Sequence, residues 1–110
     1  MPKQTKVLIV DDHRVVREGL CAILETKDDI QVVGEAKDGG EAVEQTRLLL
    51  PDVILMDVSM PGMTGVEATR IIKREFPHIG VVALTMYEEQ QYIFDLVRAG
   101  ATGYLLKDSD

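Results

Sequence analysis

The sequence predicts a three-layer α/β domain, a parallel sheet of five strands covered by helices, and three observations carry that prediction. Five short apolar runs, residues 7–10, 30–36, 53–56, 81–84 and 104–106, are brief and bounded by turn or charged residues, as strands are. Between them lie stretches with apolar residues at helical spacing, so successive strands are joined by the helical crossovers that parallel pairing requires. Four of the runs end on chemically able side chains: Asp11 and Asp12, Asp57, Thr85, and Lys107. Parallel strands point the same way, so these residues gather at one edge of the sheet.

Val7-Leu8-Ile9-Val10 is a buried strand with an anionic end. From Arg14 to about Glu25, Val16, Leu20, Ile23 and Leu24 recur at helical spacing, with Arg17, Glu18 and Glu25 on other faces. Cys21 within that helix reads as structural, because a reactive thiol needs electropositive surroundings. His13 opens the helix and reads as a solvated loop residue rather than a metal ligand. Residues 30–36 alternate weakly as a second strand, closed by the turn signal Lys37-Asp38-Gly39-Gly40. A helix over 41–50 turns Ala42, Val43, Thr46 and Leu49 inward, and Pro51 stops it.

Val53-Ile54-Leu55-Met56, set between Asp52 and Asp57, reads as a central strand buried on both faces. Thr64 and Glu67 have the spacing of a capping box, so the third helix starts there. It buries Ala68, Ile71, Ile72 and Phe76, and Pro77 ends it. Val81-Val82-Ala83-Leu84 is the fourth strand. A helix over 88–99 follows, with Ile93, Leu96 and Val97 inward, and residues 100–103 turn the chain into Tyr104-Leu105-Leu106.

At 110 residues the chain is one domain. Twelve Lys+Arg against 19 Asp+Glu give a net charge of −7, which argues against direct binding to nucleic acid or an anionic membrane. No apolar run approaches the ~20 residues of a membrane span. Residues 1–6 are polar and carry no signal-peptide pattern. The lone Cys21 forms no internal disulfide, which suits a cytoplasmic location.

A strand-end aspartate by itself reads as a turn or capping residue. Here Asp57 keeps other company. Three carboxylates at one edge repel and stay ionised only beside cations, of which Mg²⁺, a hard ion with oxygen ligands, is the obvious choice. Thr85 adds a hydroxyl and Lys107 an ammonium. A metal-binding acidic pair, a carboxylate nucleophile, a hydroxyl and an ammonium make a site for taking up a phosphoryl group.

With Asp11-Asp12, Asp57 followed by Met60-Pro61-Gly62, Thr85 and Lys107, the chain resembles the receiver domain of bacterial two-component response regulators over nearly all its length. The resemblance implies a flavodoxin-like (CheY-like) fold with strand order 2-1-3-4-5. It implies that Asp57 accepts a phosphoryl group from a sensor histidine kinase. Asp12 would be a direct Mg²⁺ ligand, Asp11 would assist through water, and Asp57 and the Ser59 backbone carbonyl would complete the protein's share. Thr85 and Lys107 would contact the phosphoryl oxygens, and Thr85 and Tyr104 would form the switch. Such a domain is regulatory and catalyses only its own phosphorylation and dephosphorylation.

Asp11-Asp12-His13, residues 38–42 and Leu105-Leu106-Lys107-Asp108 resemble the NarL/FixJ (LuxR-type) class, whose members carry a carboxyl-terminal helix-turn-helix. None lies within 1–110, so DNA binding is expected only of a longer parent. Many receivers follow the lysine with a cis-proline. Asp108 stands there instead, and a non-proline cis bond costs about 3 kcal/mol. Asp108-Ser109-Asp110 cannot form the family's fifth helix, so the chain reads as truncated before it, and either marginally stable or self-associating as a homodimer. The rival reading, a haloacid-dehalogenase-like aspartyl phosphatase, needs a second aspartate two residues after the nucleophile, where Ser59 stands.

Overall fold

β1 (Thr5–Val10) is paired on both sides, with β2 (Ile30–Ala36) at one flank and β3 (Val53–Asp57) at the other. The computed structural model describes residues 4–57, 65–85 and 103–106, with 84, 85 and 103–106 described by their backbones alone. β4 (Gly80–Thr85) and β5 (Gly103–Leu106) extend the sheet beyond β3, giving five parallel strands in the order β2-β1-β3-β4-β5. Strand order and strand count agree with the flavodoxin-like expectation.

Three helices lie among the described residues: α1 (Arg14–Leu24), α2 (Gly39–Leu49) and α3 (Gly65–Glu75). The chain steps from β1 to β2 in one direction along the sheet and from β2 to β3 and β4 in the other. Right-handed crossovers therefore put α1 on one face and α2 with α3 on the opposite face. Arg47 of α2 and Glu75 of α3 form a two-pronged ion pair between neighbouring helices.

The face under α2 and α3 holds the main core. Leu8 and Val10, Ile54 and Met56, and Val81 and Ala83 alternate along their strands and pack with Ala42, Val43, Ala68 and Ile72. The face under α1 is covered less completely: Val53, Leu55 and Val82 are half-buried, and no residue of α1 is fully buried. This corrects the expectation that the central strand is buried on both faces. The α1 stripe is open on one side, as expected without the family's fifth helix. Val16, Leu20 and Leu24 are half-buried, but Ile23 is 62% exposed, and Arg17 turns inward instead.

α2 starts two residues before its expected first residue. Gly39 and Gly40 are its first turn, and Asp38 is its N-cap, accepting from the Glu41 amide at 2.8 Å while Glu41 accepts from the Lys37 amide at 3.2 Å. At its other end Leu50 adopts φ 48°, and Pro51 follows. Gly34 lies beside a register shift, where Val7 pairs with Val32 and Leu8 with Gly34. A Cβ there would meet Leu49 Cδ1 at 2.6 Å, so the missing side chain lets α2 sit close on the edge strand.

The unequal faces make a stability prediction. Ile54→Ala, which removes a side chain with no exposure, should lower unfolding free energy by about 2–5 kcal/mol, and Leu55→Ala by clearly less. Urea unfolding of the two variants measures this. An equal or larger loss at Leu55 would mean the faces are assigned the wrong way round.

Candidate functional site

The pairing of β1 with β3 builds the site. Val7 pairs with Val53, and the register runs through Val10 with Met56. One step further, Asp11 and Asp57 stand at the same level at the carboxyl ends of neighbouring central strands. Both are enclosed, Asp11 at 0% and Asp57 at 1% exposure. Asp12 and His13 follow in the link to α1. One ligand atom from each of Asp11, Asp12, His13 and Asp57 falls within 4.8 Å of the others.

Hydrogen bonds fix this segment. The Asp11 amide donates to the Ala36 carbonyl at 3.0 Å, continuing the bonding to β2 after β1 has ended. Asp11 Oδ1 accepts from the His13 amide at 2.9 Å, a side chain bonding two residues along its own backbone. His13 is the N-cap of α1, and its Nδ1 lies 3.2 Å from Asp11 Oδ1 and 3.0 Å from Asp12 Oδ1. The Asp12 Oδ1 atom is buried, and the polar group that faces it is this ring nitrogen.

The structure thus brings together Asp11, Asp12 and Asp57, three of the residues singled out in the sequence. It adds His13, which the sequence reading left to solvent; the ring is 68% exposed, yet its nitrogen faces the acids. The signal was adjacency to the acidic pair at a helix start. Thr85 ends β4 with its backbone paired to Leu106, and Tyr104 of β5 pairs with Ala83. Ser59, Lys107, Thr64, the fourth helix and the 107–108 peptide bond lie outside the described residues.

A buried cluster of carboxylates at the strand ends of a 2-1-3-4-5 sheet defines a class, the flavodoxin-like domains that place their chemistry at the topological switch point. Within that class, the response regulator receiver domain family matches residues 7–110, and the chain belongs to it. It is 51% identical over 102 residues to response regulator GacA of Pseudomonas syringae pv. syringae, covering 93% of this chain and 48% of the relative. It is 48% identical over 104 residues to the transcriptional regulatory protein LiaR of Bacillus subtilis, covering 94% of this chain and 49% of the relative.

Among solved structures, a LuxR-family two-component response regulator from Aurantimonas superposes with a TM-score of 0.92 at 37% identity, over 98% of this chain and 77% of that one. The receiver domain of the response regulator NarL from Mycobacterium tuberculosis gives 0.92 at 36%, over 99% of this chain and 88% of that one. The chain is a two-component receiver domain of the LuxR/NarL type, regulatory in role. The haloacid-dehalogenase alternative finds no support in these matches. The chain spans about half the length of the curated relatives named above. No helix among the described residues is long and apolar enough to cross a membrane.

Behind the acidic segment, Arg17 Nε donates to Glu35 Oε1 of β2 at 3.1 Å and Nη1 to the Asp11 carbonyl at 2.8 Å. Cys21 lies one turn further along α1, where burial and the Glu35 carboxylate push its thiol up to about 11. A thiol shifted from 9 to about 11 carries roughly a hundredfold less thiolate at pH 8. Iodoacetamide should therefore alkylate Cys21 slowly in the native protein at pH 8 and faster in Glu35→Gln. Alkylation at the rate of a free thiol in the native chain would contradict the structural assignment of Cys21.

Proposed function

We propose that this domain accepts a phosphoryl group on Asp57 from the phosphohistidine of a sensor kinase, in a Mg²⁺-dependent reaction. The observation that carries the proposal is the placement of Asp57 opposite Asp11 and Asp12, with ligand atoms within 4.8 Å. The donor set fits a hard dication: three carboxylates offer oxygens within 4.8 Å of one another. Asp11, Asp12 and Asp57, with the Ser59 carbonyl, would hold the ion. When bound, it supplies the positive charge that offsets the carboxylates and the phosphoryl oxygens.

The chain's own residues do the rest. A carboxylate oxygen of Asp57 attacks phosphorus while the phosphorus–nitrogen bond to the kinase imidazole breaks, and the imidazole leaves with the bonding pair. Burial of Asp57 keeps bulk water from competing. Lys107 and the Thr85 hydroxyl take up the charge of the transferred oxygens. Thr85 and Tyr104 sit on neighbouring strands two positions apart in register, which suits their coupling as a switch toward an output surface. In the whole cytoplasmic regulator, a separate DNA-binding domain would read that switch.

The test is intact mass after treatment with a small phosphodonor and Mg²⁺: wild type should gain one phosphoryl group and Asp57→Asn none. Equal labelling of the Asn variant would remove Asp57 from the role. The metal and phosphate contacts separate in a second experiment. Asp12→Ala should weaken Mg²⁺ binding about tenfold or more, whereas Lys107→Ala should leave it unchanged or tighter, because an ammonium repels the cation. Equal Mg²⁺ affinity in wild type and Asp12→Ala would exclude Asp12 as a ligand.

A further inference from the structure

We propose that Arg17 is a positioning residue of the acidic site, an inference that rests on the Mg²⁺-dependent phosphoacceptor reading above. Its guanidinium is a fork. One prong takes the Asp11 carbonyl at 2.8 Å, and the other takes Glu35 Oε1 at 3.1 Å, on the strand beside β1. The side chain is only 17% exposed, so the fork closes inside the protein. Glu35 pairs in register with Ile9, two residues before Asp11, and is itself anchored in the sheet.

Arg17 also closes a ring around the acidic segment. Its own amide donates to the His13 carbonyl at 3.1 Å, and the His13 amide donates to Asp11 Oδ1 at 2.9 Å. The segment from Asp11 to His13 leaves the sheet and must turn into α1 within three residues. Its carbonyl end is held by Arg17, its side-chain end by His13, and its amide end by Ala36. Removing the guanidinium frees the carbonyl end, and the Asp11 and Asp12 carboxylates lose their fixed bearing on Asp57. Groups behind metal ligands that set their orientation change affinity by roughly 10–100-fold when removed.

The sign of the effect separates positioning from charge. As a bare positive charge near the site, Arg17 repels a cation, so losing it would tighten Mg²⁺ binding. As a positioning residue its loss weakens binding. The experiment is a Mg²⁺ titration followed by ¹⁵N NMR at the amides of Asp11, Asp12 and His13, in wild type, Arg17→Met, Arg17→Lys and Glu35→Gln.

Arg17→Met should raise Kd about tenfold. Arg17→Lys, which keeps the charge and one donor, should fall between it and wild type. Glu35→Gln, which keeps an acceptor for Nε, should stay close to wild type. An equal or lower Kd in Arg17→Met overturns the inference, and if that variant does not fold, an equal or lower Kd in Arg17→Lys does so. Absence of Mg²⁺ binding in wild type overturns the phosphoacceptor reading itself, and this inference with it.

Discussion

Everything functional in this domain depends on the in-register parallel pairing of β1 with β3. That pairing carries two aspartates to the same level at the ends of adjacent central strands, where both side chains are enclosed. Enclosure strengthens their mutual repulsion, since Coulomb energy rises as the effective dielectric falls. The sheet tolerates this because the rest of the pairing is apolar and continuous: Leu8, Val10, Ile54 and Met56 fill the face under α2 and α3 without exposure. A one-residue slip between β1 and β3 would turn Ile54 and Met56 to the half-covered face under α1 and separate the acids. Core packing and the acidic site thus specify the same register.

The two faces of the sheet contribute differently. The face under α2 and α3 is closed, tied by the Arg47–Glu75 pair and by the close seat of Leu49 over Gly34. The face under α1 is half-covered, and α1 is held by polar contacts at its start: the Asp11–His13 turn and the Arg17 fork. The helix that follows the acidic segment is therefore oriented by the same hydrogen bonds that orient the carboxylates.

Most of the fold was legible from pattern alone. The strands at 7–10, 30–36 and 53–56 fall where short apolar runs end in charge or turn residues, and α3 buries the stripe expected of it. Proline and helical period placed the ends of α2 and α3. Errors came where polar residues act locally. Asp38 looked like a turn residue and is a helix cap; the capping partner Glu41, three residues on, was the available signal. Arg17 looked like a solvent-facing charge and is turned inward, although it shares the helical face of Leu20, Cys21 and Leu24. Ile23 lies on the side of the α1 stripe that is expected to stand open without the family's fifth helix, and it is 62% exposed. At the site, the three aspartates were legible from strand ends. The convergence of His13 on them was not, because it depends on the tight Asp11–His13 turn.

The central claim is that one of the enclosed carboxylates is the phosphoacceptor and that the others serve it. Borohydride reduction of the phosphodonor-treated chain, followed by peptide sequencing by mass spectrometry, tests it residue by residue, because an aspartyl phosphate is reduced to homoserine where it forms. Homoserine is expected at position 57 when Mg²⁺ is present and none when the metal is chelated. Homoserine at position 11 or 12, or labelling at 57 that is indifferent to chelation, would contradict it.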